Sequence, residues 1–283
     1  MAAPHSPQSR LSVATARRGR RNRHVIDLPD TSTFAAALAE PRVYAAAAVA
    51  LLAGVTRGFS GFGGAMIYMP MIAMIYDPRI AAVTILLVDF VSATPFAIAE
   101  LRRCTWHEVT PLSIAMAVGL PIGVWLLLVL DPIVLRWCIA AMVLSAVPVL
   151  ASGWRYHGAP RLPLTIGVGL FSGVSAGSVL IAGPPVILYW LGGGNKAVTV
   201  RANLMVFFMI CDVLLVAIFG YANLFEARPL ALSVLLGLPY LVGMALGSHF
   251  FHGASDRLYR NIAYVIITLA AIVSLPVLDK VLR

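Results

Sequence analysis

Apolar residues fall in long, nearly unbroken runs along this chain, with neither the strict alternation of a half-buried strand nor the one-sided spacing of a soluble helix. The runs lie at roughly 34–56, 64–76, 79–99, 110–130, 133–151, 162–181, 183–192, 197–222, 229–250 and 259–278. A spanning helix needs about 20 mostly apolar residues, and seven or eight of the runs meet that length. Those at 64–76 and 183–192 are too short, and each follows a Gly/Ser-rich break and contains proline. Asp77-Pro78, Asp131-Pro132, Gly192-Gly193-Gly194-Asn195 and His252-Gly253-Ala254-Ser255-Asp256 punctuate the runs as turns. No connection is long enough to hold a soluble domain. The pattern predicts an all-α, polytopic membrane protein of about eight transmembrane helices, with two short Gly/Pro-broken segments.

The runs also repeat. Phe59-Ser60-Gly61 recurs as Phe171-Ser172-Gly173, each ahead of a proline (Pro70; Pro184-Pro185) and a short run. Gly119-Leu120-Pro121 recurs as Gly237-Leu238-Pro239, and Leu135-Arg136-Trp137-Cys138-Ile139-Ala140 is echoed by Leu258-Tyr259-Arg260-Asn261-Ile262-Ala263. Three matches in one order divide the chain into a basic tail (1–33) and two homologous halves (34–153 and 154–283). Duplicated halves with interrupted short segments at matching places point to a secondary transporter and its binding site. Loop charges bear on orientation. In an inverted repeat Arg102, Arg103, Arg155 and Arg161 share the cytoplasmic side with Lys196, Arg201, Arg257 and Arg260, as the positive-inside rule asks. Inversion is favoured on that ground, although the basic tail then starts outside unless residues 34–56 cross once by themselves, whereas a parallel arrangement places the tail well and the second half less well.

Composition fixes the solvent. Of 283 residues 60% are hydrophobic and 12% charged, against about a quarter charged in soluble domains, and the mean hydropathy is +0.89. The net charge of +9 is concentrated at the start, where Arg10, Arg17, Arg18, Arg20, Arg21 and Arg23 precede the first acidic residue, Asp27. Such a tail reads as a disordered cytoplasmic segment, not as a folded nucleic-acid surface. Cys104, Cys138 and Cys211 lie far apart, and the histidines show no metal-ligand spacing. Neither a cofactor nor a metal is expected.

A helix broken inside a membrane frees backbone N–H and C=O groups, tolerated only where protein or a water-filled cavity satisfies them. Its N-terminus carries partial positive charge and suits an anion. The candidate binding residues are therefore Arg57, Ser60, Gly61, Gly63 and Gly64 at the first break, and Ser172, Ser175, Gly177 and Ser178 at the second. Arg201 joins Arg57 as a second candidate cation, and Thr84 and Asn203 occupy comparable places near the starts of long helices. Against these stand bland alternatives: small residues pack helices, and arginines snorkel to the interface. Asp89 and Asp212 are ionisable groups at membrane depth, hence candidates for proton coupling.

The breaks Gly61 to Pro70 and Gly173 to Pro185, with the helix openings Ala81-Ala82-Val83-Thr84 and Lys196-Ala197-Val198, resemble those of the sulfite exporter TauE/SafE family of membrane transporters. The likeness covers nearly everything after the tail. Where that family shows consecutive glycines, this chain has Gly63-Gly64 and Ser175-Ala176-Gly177. The resemblance implies about eight helices in duplicated halves, and export of sulfite, sulfonates such as sulfoacetate, or related small organic anions.

The expected function is thus export of a small sulfur-containing anion across a bacterial inner membrane, coupled to protons through Asp89 or Asp212. The partners would be a small anionic solute and the bilayer, with no nucleic acid; a homodimer stays open. Small carboxylates are the alternative cargo. A second class of reading is an intramembrane serine protease, since Gly58-Phe59-Ser60-Gly61 matches a GxSG nucleophile pattern. Duplication of the motif, and histidines confined to loops and helix ends, argue against catalysis.

Overall fold

The computed structural model describes residues 28–60, 63–152, 161–192, 197–250 and 256–279. Eleven α-helices and one 3-10 turn, and no strand, occur among the described residues. The helices are α1 (Thr31–Ala39), α2 (Arg42–Ser60), α3 (Gly64–Ile75), α4 (Pro78–Glu100), α5 (Trp106–Val129), α6 (Pro132–Ala151), α7 (Leu162–Val179), α8 (Gly183–Gly192), α9 (Ala197–Tyr221), α10 (Ala227–Phe250) and α11 (Asp256–Val273). Six are long and apolar enough to cross a membrane, or seven if α1 and α2 count as one bent span. The eighth expected span falls on α11, where the side chains of 256–263 lie outside the described residues. The short runs are short helices: α3 has 12 residues and α8 has 10. At 1.5 Å per residue they reach about 18 and 15 Å, half of a ~30 Å hydrocarbon core.

Local chemistry sets the ends. Asp77 and Asp131 do more than close the preceding helix. Each caps the next one, accepting from the Arg79 and Ile133 amides at 2.8 Å, with proline at the first helical position. Asp30 caps α1, inside the stretch expected as tail. The Thr33 hydroxyl and amide and the Ser32 hydroxyl all donate to it and hold its carboxyl at about 2. The run at 34–56 is not one helix. Pro41 cannot continue α1, and α1 meets α2 at 89°. Glu40 at that corner is held by Arg228, Nη2 to Oε1 at 2.8 Å.

Two helix pairs make the most extensive contacts, α5 with α7 and α2 with α10. Small residues allow both crossings. Gly119 and Gly123 of α5 face Gly169, Gly173 and Gly177 of α7, where a Cβ at any of the five would overlap main-chain atoms of the other helix. Gly54 and Gly58 of α2 meet the Tyr240 and Met244 carbonyls of α10, and Gly243 answers from the other side. These are close-approach positions of the kind that join membrane helices where burial in water gives no driving force. Large side chains such as Trp125, Phe171 and Leu238 point outward, onto surface that acyl chains would cover.

The C-terminal segment is tied down by charge. Arg136 on α6 is 8% exposed. Its Nη1 and Nη2 donate to the Asp279 carboxylate at 2.7 and 2.8 Å, and Nη2 also donates to the Ser274 carbonyl at 2.7 Å. Removing one partner of a buried pair strands the other charge, at about 3–5 kcal/mol. Asp279→Ala should therefore lower thermal stability in detergent by about 3 kcal/mol, and a paired Arg136→Met/Asp279→Leu change should recover most of it. An unchanged melting curve for Asp279→Ala would show that this clamp does not hold the segment.

Candidate functional site

Both interruptions open onto one cavity of about 70 Å³, lined by Arg57 and Gly63 from the first break and by Leu180, Ile181, Ala182 and Gly183 from the second. Asp89 on α4 and Asp212 on α9 complete its polar wall, and Met66, Phe208 and Cys211 are among its apolar neighbours. A water needs about 10–15 Å³ of such space, so the cavity has room for a few waters or one compact anion.

At the first break α2 ends at Ser60 and α3 starts at Gly64. Gly63, which precedes α3, has φ 92° and ψ −13°, a conformation only glycine adopts without strain. Gly64 is required by space: a Cβ there would lie 2.8 Å from the Tyr240 hydroxyl and 3.0 Å from Arg57 Cβ. Gly61 lies outside the described residues, as does the Ser60 side chain.

The second break is not where the sequence suggested. Ser172 to Ser178 is continuous helix within α7, and the chain opens at Leu180–Ala182 instead. The glycines of that stretch serve the crossing with α5, so the bland reading holds for Gly177. Ser175 and Ser178 do not offer their hydroxyls to a ligand; they donate back to the Phe171 and Val174 carbonyls at 2.8 and 2.7 Å. Ser172 acts on the cavity from behind. Fully buried, it donates to the Ala182 carbonyl at 3.0 Å and anchors the open segment. Leu180 sits in the left-handed region at φ 56°, and its amide donates to the Ala176 carbonyl at 3.1 Å. Such a conformation costs a non-glycine residue about 1–2 kcal/mol, and strain of this kind persists where surrounding structure enforces it, often at functional sites.

The two breaks differ in donors. Near the α3 N-terminus Gly64 and Ala65 keep their amides, whereas Pro184 and Pro185 remove two of the amides that α8 could present. The positive pole of the cavity therefore comes from the first break and from Arg57. Arg57 Nη2 stands 3.0 Å from Asp89 Oδ2, with the two side chains 15% and 18% exposed. The Tyr240 hydroxyl on α10 donates to Asp89 Oδ1 at 3.0 Å and packs edge-on against Tyr68. Asp212 faces the same space half-buried, and among the described residues no ion pair or side-chain hydrogen bond reaches it.

Arg201, Thr84 and Asn203 lie apart from the cavity. Arg201 is exposed at the start of α9, as snorkelling would have it. Thr84 is buried and donates to the Ile80 carbonyl at 2.8 Å. Asn203 is a strut: its Oδ1 accepts from the Thr105 amide at 2.7 Å and its Nδ2 donates to Glu108 Oε2 at 3.1 Å, tying α9 to the α4–α5 corner. Sequence reasoning missed Tyr240, Cys211 and Leu180–Ala182. Only Tyr240 carried a signal, standing directly after the repeated Gly-Leu-Pro. No histidine lines the cavity among the described residues; His107 and His249 are exposed at helix ends. No cluster of three or more His, Cys, Asp or Glu side chains placed to hold a metal ion occurs among the described residues.

A family model for the sulfite exporter TauE/SafE matches residues 46–274, most of the chain and all of the cavity. No curated protein and no solved structure matches it.

Proposed function

The chain belongs to the sulfite exporter TauE/SafE family, and we propose that it is a secondary transporter exporting a small sulfur-containing anion, sulfite or an organosulfonate such as sulfoacetate, across a bacterial inner membrane. The observation that carries this reading is the meeting of two helix breaks and one guanidinium in a single cavity among apolar helices. Arg57 offers charge-assisted hydrogen bonds to a sulfur oxyanion, and the α3 N-terminus adds main-chain donors. Small carboxylates share the charge and remain the alternative cargo.

The halves act as two copies exchanged by a pseudo-two-fold axis. With α2 equated to α7 and α5 to α10, as the repeats equate them, the pairings α2–α10 and α5–α7 are one contact read in opposite senses. Rocking of one copy against the other about the shared cavity would expose it to each side in turn.

Cys211 gives a direct handle. Cys211 is 3% exposed at the cavity wall, so in a Cys104→Ser/Cys138→Ser background N-ethylmaleimide should label it slowly, only as the cavity opens, and sulfoacetate should slow that labelling several-fold further. Proteoliposomes loaded with labelled sulfite, sulfoacetate or small carboxylates should then show counterflow of the protecting species. Absence of both protection and counterflow for every one of them would end the anion-transport reading.

A further inference from the structure

We propose that the anion binds only together with a proton, taking the place of Asp89 on Arg57 while Asp212 receives the proton. This rests on the anion reading above and assigns the two carboxylates different duties. Arg57 is the one basic side chain lining the cavity among the described residues, and Asp89 already occupies it at 3.0 Å. An incoming anion must compete for the same guanidinium. Asp89 has somewhere to go: the Tyr240 hydroxyl holds its other oxygen at 3.0 Å, so a displaced Asp89 keeps a hydrogen-bond donor. Asp212 has no such support. The ionisable groups facing it are Arg57 from α2, Asp89 from α4 and Tyr240 from α10, with Cys211 beside it on its own helix. None of them donates to it or pairs with it among the described residues.

With both carboxylates ionised the cavity holds one positive and two negative groups, so a third negative charge enters against repulsion. A proton delivered to Asp212 leaves the total charge of the filled cavity equal to that of the empty one. The carboxylate without a counter-ion is the one whose protonation sacrifices no contact. Export of a monovalent anion would then carry one proton out with it and be electrically neutral, driven by anion and pH gradients and indifferent to voltage.

The test uses the full-length protein and methanesulfonate, a permanently ionised probe whose own charge does not change near neutral pH. Calorimetry in buffers of differing ionisation enthalpy counts protons directly. Binding should take up about one proton and weaken about tenfold per pH unit on the alkaline side. Asp212→Asn, neutral at every pH, should bind more tightly than wild type at alkaline pH and take up no proton. If that variant does not fold, the proton count of the wild type and of Asp212→Glu, which keeps a titratable carboxyl, still decides. Binding without proton uptake, or with proton release, overturns the inference and leaves the anion reading standing. Wild-type pH dependence in Asp212→Asn overturns the assignment to Asp212. Failure of sulfonate, sulfite and carboxylate probes to bind at any pH overturns the anion reading itself and the inference with it.

Discussion

Arg57→Ala should abolish anion flux and destabilise the fold, and the two losses should separate when Asp89→Ala is added. The first loss arises because Arg57 is the cation of the cavity. Truncating one member of a desolvated charge pair costs about 2–5 kcal/mol, which is about one and a half to three and a half orders of magnitude in binding. The second arises because Asp89, 18% exposed, loses its counter-ion and keeps only Tyr240. Breaking a buried pair from one side destabilises by about 3–5 kcal/mol, whereas removing both sides is often near neutral. The double variant should therefore melt close to wild type and still fail to transport. Arg57→Lys should keep the charge and lose the planar fork, leaving intermediate flux. Wild-type flux from the double variant, read as counterflow in proteoliposomes, would remove Arg57 from the site.

Gly173→Ala and Gly58→Ala should each destabilise the protein by about 2–3 kcal/mol, for a reason unrelated to the cavity. The added methyl group would overlap the Met116 carbonyl oxygen in the first case and the Met244 carbonyl oxygen in the second. Main chain on both sides cannot swing away as a flexible side chain can, so the crossing must open and dispersion contacts along the whole interface weaken. Gly167 lies on α7 with no atom within 4 Å of its would-be Cβ. Gly167→Ala should be neutral or stabilising by up to about 1 kcal/mol, because alanine restricts the chain more than glycine does. Thermal unfolding of the three variants in one detergent makes the comparison. Equal melting temperatures would mean that these crossings are looser than the glycine spacing implies.

The consequences reach the cavity through Tyr240. It stands on α10 at the crossing with Gly54, packs edge-on against Tyr68 and holds Asp89. Slippage at the α2–α10 crossing therefore moves the partner of Arg57. In the inverse direction, an anion that draws Arg57 from Asp89 would leave Asp89 held by the Tyr240 hydroxyl alone. Helix packing and charge pairing thus share one residue.

The sequence by itself determined the solvent, the helical class and the two short helices, because these follow from local composition. A run of some twenty apolar residues has no stable place but a bilayer or a core, and Asp-Pro starts a helix whatever surrounds it, as at Asp77 and Asp131. It also marked Arg57, Gly63, Asp89 and Asp212, since a charge or a glycine pair at membrane depth stands out against apolar neighbours. The tertiary structure decided which small residues serve packing and which serve the cavity. Gly173 and Gly177 look like Gly63 and Gly64 in the sequence, but the difference lies in what stands opposite them: the α5 backbone in one case, and in the other the cavity beside Gly63 and the Tyr240 hydroxyl and Arg57 side chain against Gly64. It also moved the second break to Leu180–Ala182, where a leucine takes the left-handed turn that local preference would give to glycine and a distant Ser172 holds the Ala182 carbonyl. Tyr240 reached the site for the same reason. Its contact with Asp89 spans 151 positions of the chain, and no local pattern encodes a partner that only folding brings near.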